Sequence, residues 1–399
     1  MVFLADRIHK LSYAIREFVP LARSLEEKGE RVLYLNIGDP LKYDFDTPSH
    51  IKKALCEAAT EGYNYYTFSE GDPELREAIA LKERKWHGVD VKARNVIVTH
   101  GVSEAINFVC SVLLNRGEKA LIPTPTYPLY QTYILMFGGK PVSYRCLEEN
   151  GWQPDIEDIE KKIDEKTKFI VVINPNNPTG ALYEEKTLKK ILDIAAEHSL
   201  VVVSDEIYDG IVFEGEFKSL AKVSKDVPVI VLNGFSKTFL MTGWRLGYLY
   251  VYDPTERVEE TLMEAFIKVA RCRLCVTTPI QRAGVAALKG SLQHLEEMKK
   301  KLLKRRDFIY KRVNEIEGLE AVKPKAAFYI FPKISERVGI KDDREFVKKL
   351  LLEEKVLVVH GSGFGDGCKG HFRAVFLPPE EVLEEAFERI ERFLKRQMK

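Results

Sequence analysis

Three short runs, residues 169–173, 200–204 and 229–232, are almost wholly apolar and rich in β-branched side chains. A strand with one wet face alternates polar and apolar residues. A strand covered on both faces does not. These runs therefore predict the buried strands of a mostly parallel sheet. Residues 95–99 and 119–122 read as further strands, and 103–114 and 184–198 as helices between them. Strands alternating with helices predict a doubly wound α/β domain.

At 399 residues the chain is long for one core, which favours two lobes. The first 45 residues predict a helix at 11–28, a strand at 32–36 and a turn at Gly38-Asp39-Pro40. A long charged helix is expected over 291–316. Strands at 328–332, 356–360 and 371–376 and a last helix at 379–398 follow, an α+β pattern. The expected division is an N-terminal segment (1–45) packing on the smaller lobe, a large domain (46–290) and a small C-terminal domain (291–399).

Lys+Arg number 61 against 60 Asp+Glu, so bulk charge points to neither nucleic acid nor a membrane surface. Charged small molecules must then be met by a local site. No apolar run approaches the roughly 18 residues that span a bilayer, and the N-terminus lacks a secretory pattern. The six cysteines are scattered, so no disulfide framework is expected and the cytoplasm is the expected compartment. Cys272 and Cys275 form a lone C-x-x-C without a second pair, and no metal site is expected.

Four stretches carry chemistry. Ser236-Lys237-Thr238 and Gly243-Trp244-Arg245 follow the run ending at Leu232. They lie beyond a strand's carboxyl end, where open α/β sheets bind ligands. A lysine emerging beside apolar residues can lose its charge and attack an aldehyde, while a hydroxyl and a guanidinium fork suit a phosphate. Ser204-Asp205-Glu206-Ile207-Tyr208 ends another buried strand. A carboxylate there can keep a pyridine nitrogen protonated. Asn174-Pro175-Asn176-Asn177-Pro178-Thr179-Gly180 reads as a fixed loop that holds the Asn177 amide. His100-Gly101-Val102-Ser103-Glu104 places a glycine at a helix start, where backbone N–H groups can cradle a phosphate. Taken singly, each has an ordinary reading as a surface lysine, a helix cap or a turn.

Together and in this order, the four stretches resemble the class I/II aminotransferases of pyridoxal phosphate (PLP) fold type I, from Asn36-Ile37-Gly38-Asp39-Pro40 to Phe372-Arg373. The resemblance implies a large domain with a mostly parallel seven-stranded sheet and a smaller α+β domain. It implies that Lys237 carries PLP as a Schiff base and later moves the substrate Cα proton. Asp205 pairs with the pyridinium nitrogen, and Asn177 and Tyr208 bind the ring oxygen. Val102, Ser103, Glu104, Ser236 and Arg245 surround the phosphate, and Tyr127 stacks on the ring. Tyr66 reaches the phosphate of a second subunit, which implies a homodimer with shared sites. Gly38, Asn177 and Arg373 grip the substrate α-carboxylate, and the substrates are amino acids and 2-oxo acids.

Residues 360–379 and 270–279 look like the alanine aminotransferase branch and favour L-alanine with 2-oxoglutarate. Arg273 is the candidate for the distal carboxylate, with an interface or solvated charge as the equally weighted alternative. Aspartate aminotransferase is the runner-up. A PLP-binding amino-acid sensor and a PLP β-lyase are remote alternatives. The glycines of 361–367 precede a strand rather than a helix, unlike a dinucleotide loop, and read as a loop delivering Arg373.

Overall fold

The computed structural model describes residues 3–339 and 342–398. Its centre is one sheet of eight strands: β1 (Val96–Thr99), β2 (Lys119–Thr124), β3 (Lys140–Leu147), β4 (Gln153–Pro154), β5 (Thr167–Ile173), β6 (Val201–Asp205), β7 (Val229–Gly234) and β8 (Gly247–Tyr252). They lie in the order β1-β8-β7-β6-β5-β2-β3-β4. β3, β2, β5, β6 and β7 run parallel. The five strands read from the sequence are present, β3 and β8 bring the count to the seven that the resemblance implies, and the two-residue β4 adds an antiparallel edge.

The continuous apolar runs have the expected cause. Along β5, Ile170 and Val172 face one core, while Phe169, Val171 and Ile173 face the other. Both faces are covered, so neither tolerates a polar residue. β8 is antiparallel to both its neighbours. The chain leaves β7 at Gly234, makes a loop over 235–246 and returns directly as β8, without a crossover helix. Lys237 and Arg245 both sit in that loop. The register Ile173↔Asp205 and Asp205↔Leu232 brings three strand ends together, so the loops after β5, β6 and β7 meet on one side.

A third core gathers residues of the N-terminal segment with the C-terminal part, among them Leu33, Leu35, Leu302, Phe346, Val356 and Phe387. Leu33–Tyr34 pairs in parallel with Val356–Leu357. The single helix expected over 11–28 is two, Ala14–Glu17 and Val19–Glu26. Pro20 near the start of the second lacks the N–H that would continue the first. Residues 361–364 form a short turn between Val359–His360 and Phe372–Val375, antiparallel strands whose register sets Val359 opposite Arg373.

Beneath the loops lies a buried ionic cluster. Asp209, 6% exposed, accepts from Lys82 Nζ (2.5 Å), Asn233 Nδ2 (2.8 Å) and Thr238 Oγ1 (3.5 Å), and lies 2.9 Å from His87 Nε2. Lys82 and His87 belong to the helix Pro73–His87. Burial pushes the Asp209 carboxyl up, but Lys82 and His87 more than reverse this and hold it far below the usual carboxylate range. Replacing Asp209 with Ala leaves Lys82 with Glu83, 2.9 Å away, as its remaining buried carboxylate, and losing one partner of a buried pair costs up to about 3–5 kcal/mol. We expect that loss in chemical denaturation. The triple variant Lys82→Met/Glu83→Gln/Asp209→Leu, which removes both carboxylates with their shared cation, should lose less, and a loss no larger than that of an exposed pair for Asp209→Ala would contradict the anchoring role.

Candidate active site

A cavity of about 460 Å³ opens where the loops after β5, β6 and β7 meet the N-terminal segment and the strands around Tyr329 and Arg373. Its volume falls in the small-molecule range of roughly 300–1,000 Å³. Lys237, Asp205, Tyr208, Asn177, Tyr127, Val102, Ser103, Ser236, Arg245, Gly38 and Arg373 all line it.

Each is placed by its local backbone. Lys237 follows β7 by three residues, and its Nζ donates to the Gly38 carbonyl at 2.7 Å. Burial lowers its pKa to about 8. Asp39 opposes this by attracting the ammonium, while Arg245 and Arg373 repel it. Asp205 ends β6, and burial raises its carboxyl to about 6. A hydrogen bond from the Tyr130 hydroxyl (2.9 Å) and the Ile207 N–H counter part of that shift. Asn177 is held because Asn176 Oδ1 accepts from the Thr179 N–H and hydroxyl and pins the loop. The Tyr127 hydroxyl meets that of Tyr13 at 3.0 Å.

Arg373 is 1% exposed. It donates to Asn177 Oδ1 (2.9 Å) and to the Asn36 carbonyl. Its guanidinium lies over the rings of Tyr329 (4.5 Å) and Phe364 (5.0 Å), and its Nε has no hydrogen-bond partner among the described residues. A buried donor without a partner is costly, so this one suits a ligand carboxylate.

At the other side the helix Gly101–Leu113 points its N-terminus at Arg245, whose Nη2 donates to Ser103 Oγ at 3.4 Å. Gly101 has φ +71°, and a Cβ there would stand 2.6 Å from Arg245 Nη2, so only glycine lets the two approach. With the helix dipole, Ser103, Ser236 and Arg245 form a donor set for a phosphate. Across the cavity four cations (Arg16, Lys237, Arg245, Arg373) face two carboxylates (Asp39, Asp205). That surplus favours an anionic ligand.

Three expected residues do not line the cavity. Arg273 Nη2 donates to the Val98 carbonyl at 2.5 Å, and its Nε stands 3.3 Å from Glu104 Oε2. Glu104 also takes the His100 N–H at 2.8 Å, closing the start of its helix. Glu104 is thus held by the helix start and the Arg273 charge, while Arg273 Nε and Nη1 make no hydrogen bond among the described residues. Tyr66 is 80% exposed. Conversely, Tyr13, Arg16 and Tyr329 line the cavity and Tyr130 holds Asp205, though no motif marked them. Tyr13 and Arg16 lie beside Ala14 and Ile15, which are buried against the sheet core, and that apolar pair was their only local signal.

A lysine of lowered pKa, a buried carboxylate and a phosphate cradle on a doubly wound sheet define an enzyme that works through a phosphorylated pyridine aldehyde. Residues 30–390 match the family described as aminotransferase class I and II, and the chain belongs to that family, whose members depend on PLP. The fold is similar to that of an alanine aminotransferase from Pyrococcus furiosus, with TM-score 0.96 and 54% identity over 99% of this chain and 100% of that one. In sequence it is 39% identical to an alanine aminotransferase of Mycobacterium bovis, over 94% of this chain and 88% of the relative. It is 38% identical to an aromatic-amino-acid aminotransferase of Thermococcus litoralis, over 98% of each chain.

With its pKa near 8, Lys237 should be a competent nucleophile close to neutral pH. Mixed with PLP, the apoprotein should show a condensation rate that rises with pH through about 8 and then levels off, followed by absorbance. An ordinary lysine would place the rise near pH ~10.4, and that outcome would remove the role.

Proposed function

We propose that the enzyme transfers the amino group of L-alanine to 2-oxoglutarate, giving pyruvate and L-glutamate. The carrying observation is the single cavity that gathers Lys237, Asp205, Arg245 and Arg373. The alanine aminotransferases among its relatives support the choice of substrate.

The residues present fit PLP. Ser103, Ser236, Arg245 and the helix N-terminus would hold its phosphate, with Val102 beside them. Asp205 would face its ring nitrogen, Asn177 and Tyr208 its ring oxygen, and Tyr127 its ring face. When bound, PLP supplies an aldehyde that takes the amino group and a protonated ring that draws electrons. Burial disfavours the ionised form of Asp205, and a protonated ring nitrogen held beside it would favour that form. Arg373, with Asn177 and Gly38, binds the α-carboxylate and fixes the orientation of the substrate Cα–H. Lys237 would take that proton at its Nζ as general base, and its lowered pKa keeps a usable neutral fraction near pH 7–8.

For the distal carboxylate of glutamate the reading turns to Arg16. It lines the cavity and makes no ion pair among the described residues, whereas Arg273 is engaged elsewhere. The exposed Tyr65, Tyr66 and Phe68 form an apolar surface that a second copy would cover, with Tyr66 serving the phosphate of the partner. All six cysteines are free, which suits the reducing cytoplasm.

Added singly to holoenzyme, L-alanine and L-glutamate should each convert the cofactor absorbance to that of its amine form, and L-aspartate should do so slowly. A faster response to L-aspartate or L-phenylalanine would overturn the substrate and leave the reaction class standing. Lys237→Ala should retain PLP yet lose turnover. Arg16→Gln should raise KM for glutamate about 10- to 100-fold, the range for losing one hydrogen bond to a charged group, and leave KM for alanine within about twofold. Equal rises for both substrates would rule Arg16 out.

A further inference from the structure

Tyr329 is 2% exposed and lies on the short strand Tyr329–Ile330, paired antiparallel with the strand that carries Arg373. Its hydroxyl lies 2.7 Å from the hydroxyl of Tyr208, which is 3% exposed. Its ring carries the Arg373 guanidinium at 4.5 Å. The same hydroxyl occupies the space a side chain on Gly38 would need, and the Gly38 carbonyl receives Lys237. One phenol therefore touches Tyr208 and Arg373, assigned to the ring oxygen and the carboxylate, and crowds Gly38, whose carbonyl holds the reacting amine.

Each phenol has one hydrogen, so the pair bridges with one and has one to spare. If Tyr208 donates to Tyr329, its hydrogen is spent on the protein. If Tyr329 donates, the Tyr208 hydrogen is free to point into the cavity. The two rings are not equivalent. Arg373 lies over the Tyr329 ring and draws electron density from it, which makes its O–H the better donor. Both rings are fixed, because Tyr208 packs edge-on against Phe328 (5.4 Å) and Tyr329 (5.7 Å). The other titratable groups facing the pair are Tyr127 beside Tyr208, and Tyr13 and Asp205 beside Tyr329.

We propose that Tyr329 is a positioning residue whose hydroxyl donates to Tyr208 and so turns the Tyr208 hydrogen toward the cavity. The inference rests on the reading that Tyr208 serves the ring oxygen of PLP. An oxygen that receives this hydrogen is better stabilised as an anion, so the arrangement lowers the pH at which the cofactor absorbance of resting holoenzyme changes.

Tyr329→Phe keeps the ring under Arg373 and removes only the hydroxyl. The midpoint of a spectral pH titration of holoenzyme should rise by about half to one pH unit, the size of one hydrogen bond's net contribution. The kcat should fall about 3- to 10-fold, with KM for L-alanine within about twofold. Thermal unfolding of the apoprotein reports folding separately. In the double variant Tyr208→Phe/Tyr329→Phe the midpoint should match that of Tyr208→Phe alone, because Tyr329 acts through Tyr208. An unchanged or lowered midpoint in Tyr329→Phe, or additive shifts in the double variant, would overturn the proposal. A Tyr208→Phe variant with the wild-type midpoint would instead overturn the assignment of Tyr208, and this inference with it.

Discussion

The Asp209 carboxylate ties together parts that the chemistry needs at fixed separations. It lies next to Tyr208 in the chain, bonds to Asn233 on β7 and meets Thr238, the neighbour of Lys237. From the helix Pro73–His87 come Lys82 and His87. The segment after β6 and the lysine loop after β7 thus share one anchor. A buried ion pair brings little net stability, because both charges give up water. Its value here is geometric: a carboxylate with its lone pairs taken from three directions cannot shift without breaking buried bonds to Lys82, Asn233 and Thr238 together. The aldehyde-binding amine and the ring-facing carboxylate inherit that rigidity.

Burial moves the two central groups toward each other in acidity. Lys237 falls to about 8 and Asp205 rises to about 6. Neither group is comfortable in its charged form without a counter-charge, and each has only partial relief from the protein. Lys237 has the Gly38 carbonyl and the field of Asp39, and Asp205 has the Tyr130 hydroxyl and the Ile207 N–H. Such unsettled pairs mark reactive sites. By contrast, Lys82 and Asp209 are just as deeply buried and fully matched, and they are inert.

Much of this was legible in the sequence because strand ends leave local marks. The β-branched runs located β5, β6 and β7, and the residues just after them carry Asn177, Asp205, Tyr208 and Lys237. β8 was not seen in advance because its antiparallel sense depends on the return of the lysine loop, a tertiary event. Glu104 was expected at the phosphate from the resemblance and Arg273 at the distal carboxylate on its charge, yet a helix start and a carbonyl engage them. Tyr329, Arg16 and Tyr130 carried no motif. Each reaches the site from a distant part of the chain, and local periodicity holds no record of such contacts.

The pairing of Leu33–Tyr34 with Val356–Leu357 bears on how the molecule is made. The segment before the large sheet supplies Tyr13, Arg16 and Gly38 to the cavity, but its strand finds a partner only after residues 356–357 have been made. Until then the large sheet can assemble while one wall of the pocket is missing. Domains form as units during synthesis, so the nascent protein should pass through a stage with its reactive lysine loop built and open to solvent. Competence would then arrive late and all at once, as Leu33–Tyr34 and Val356–Leu357 meet.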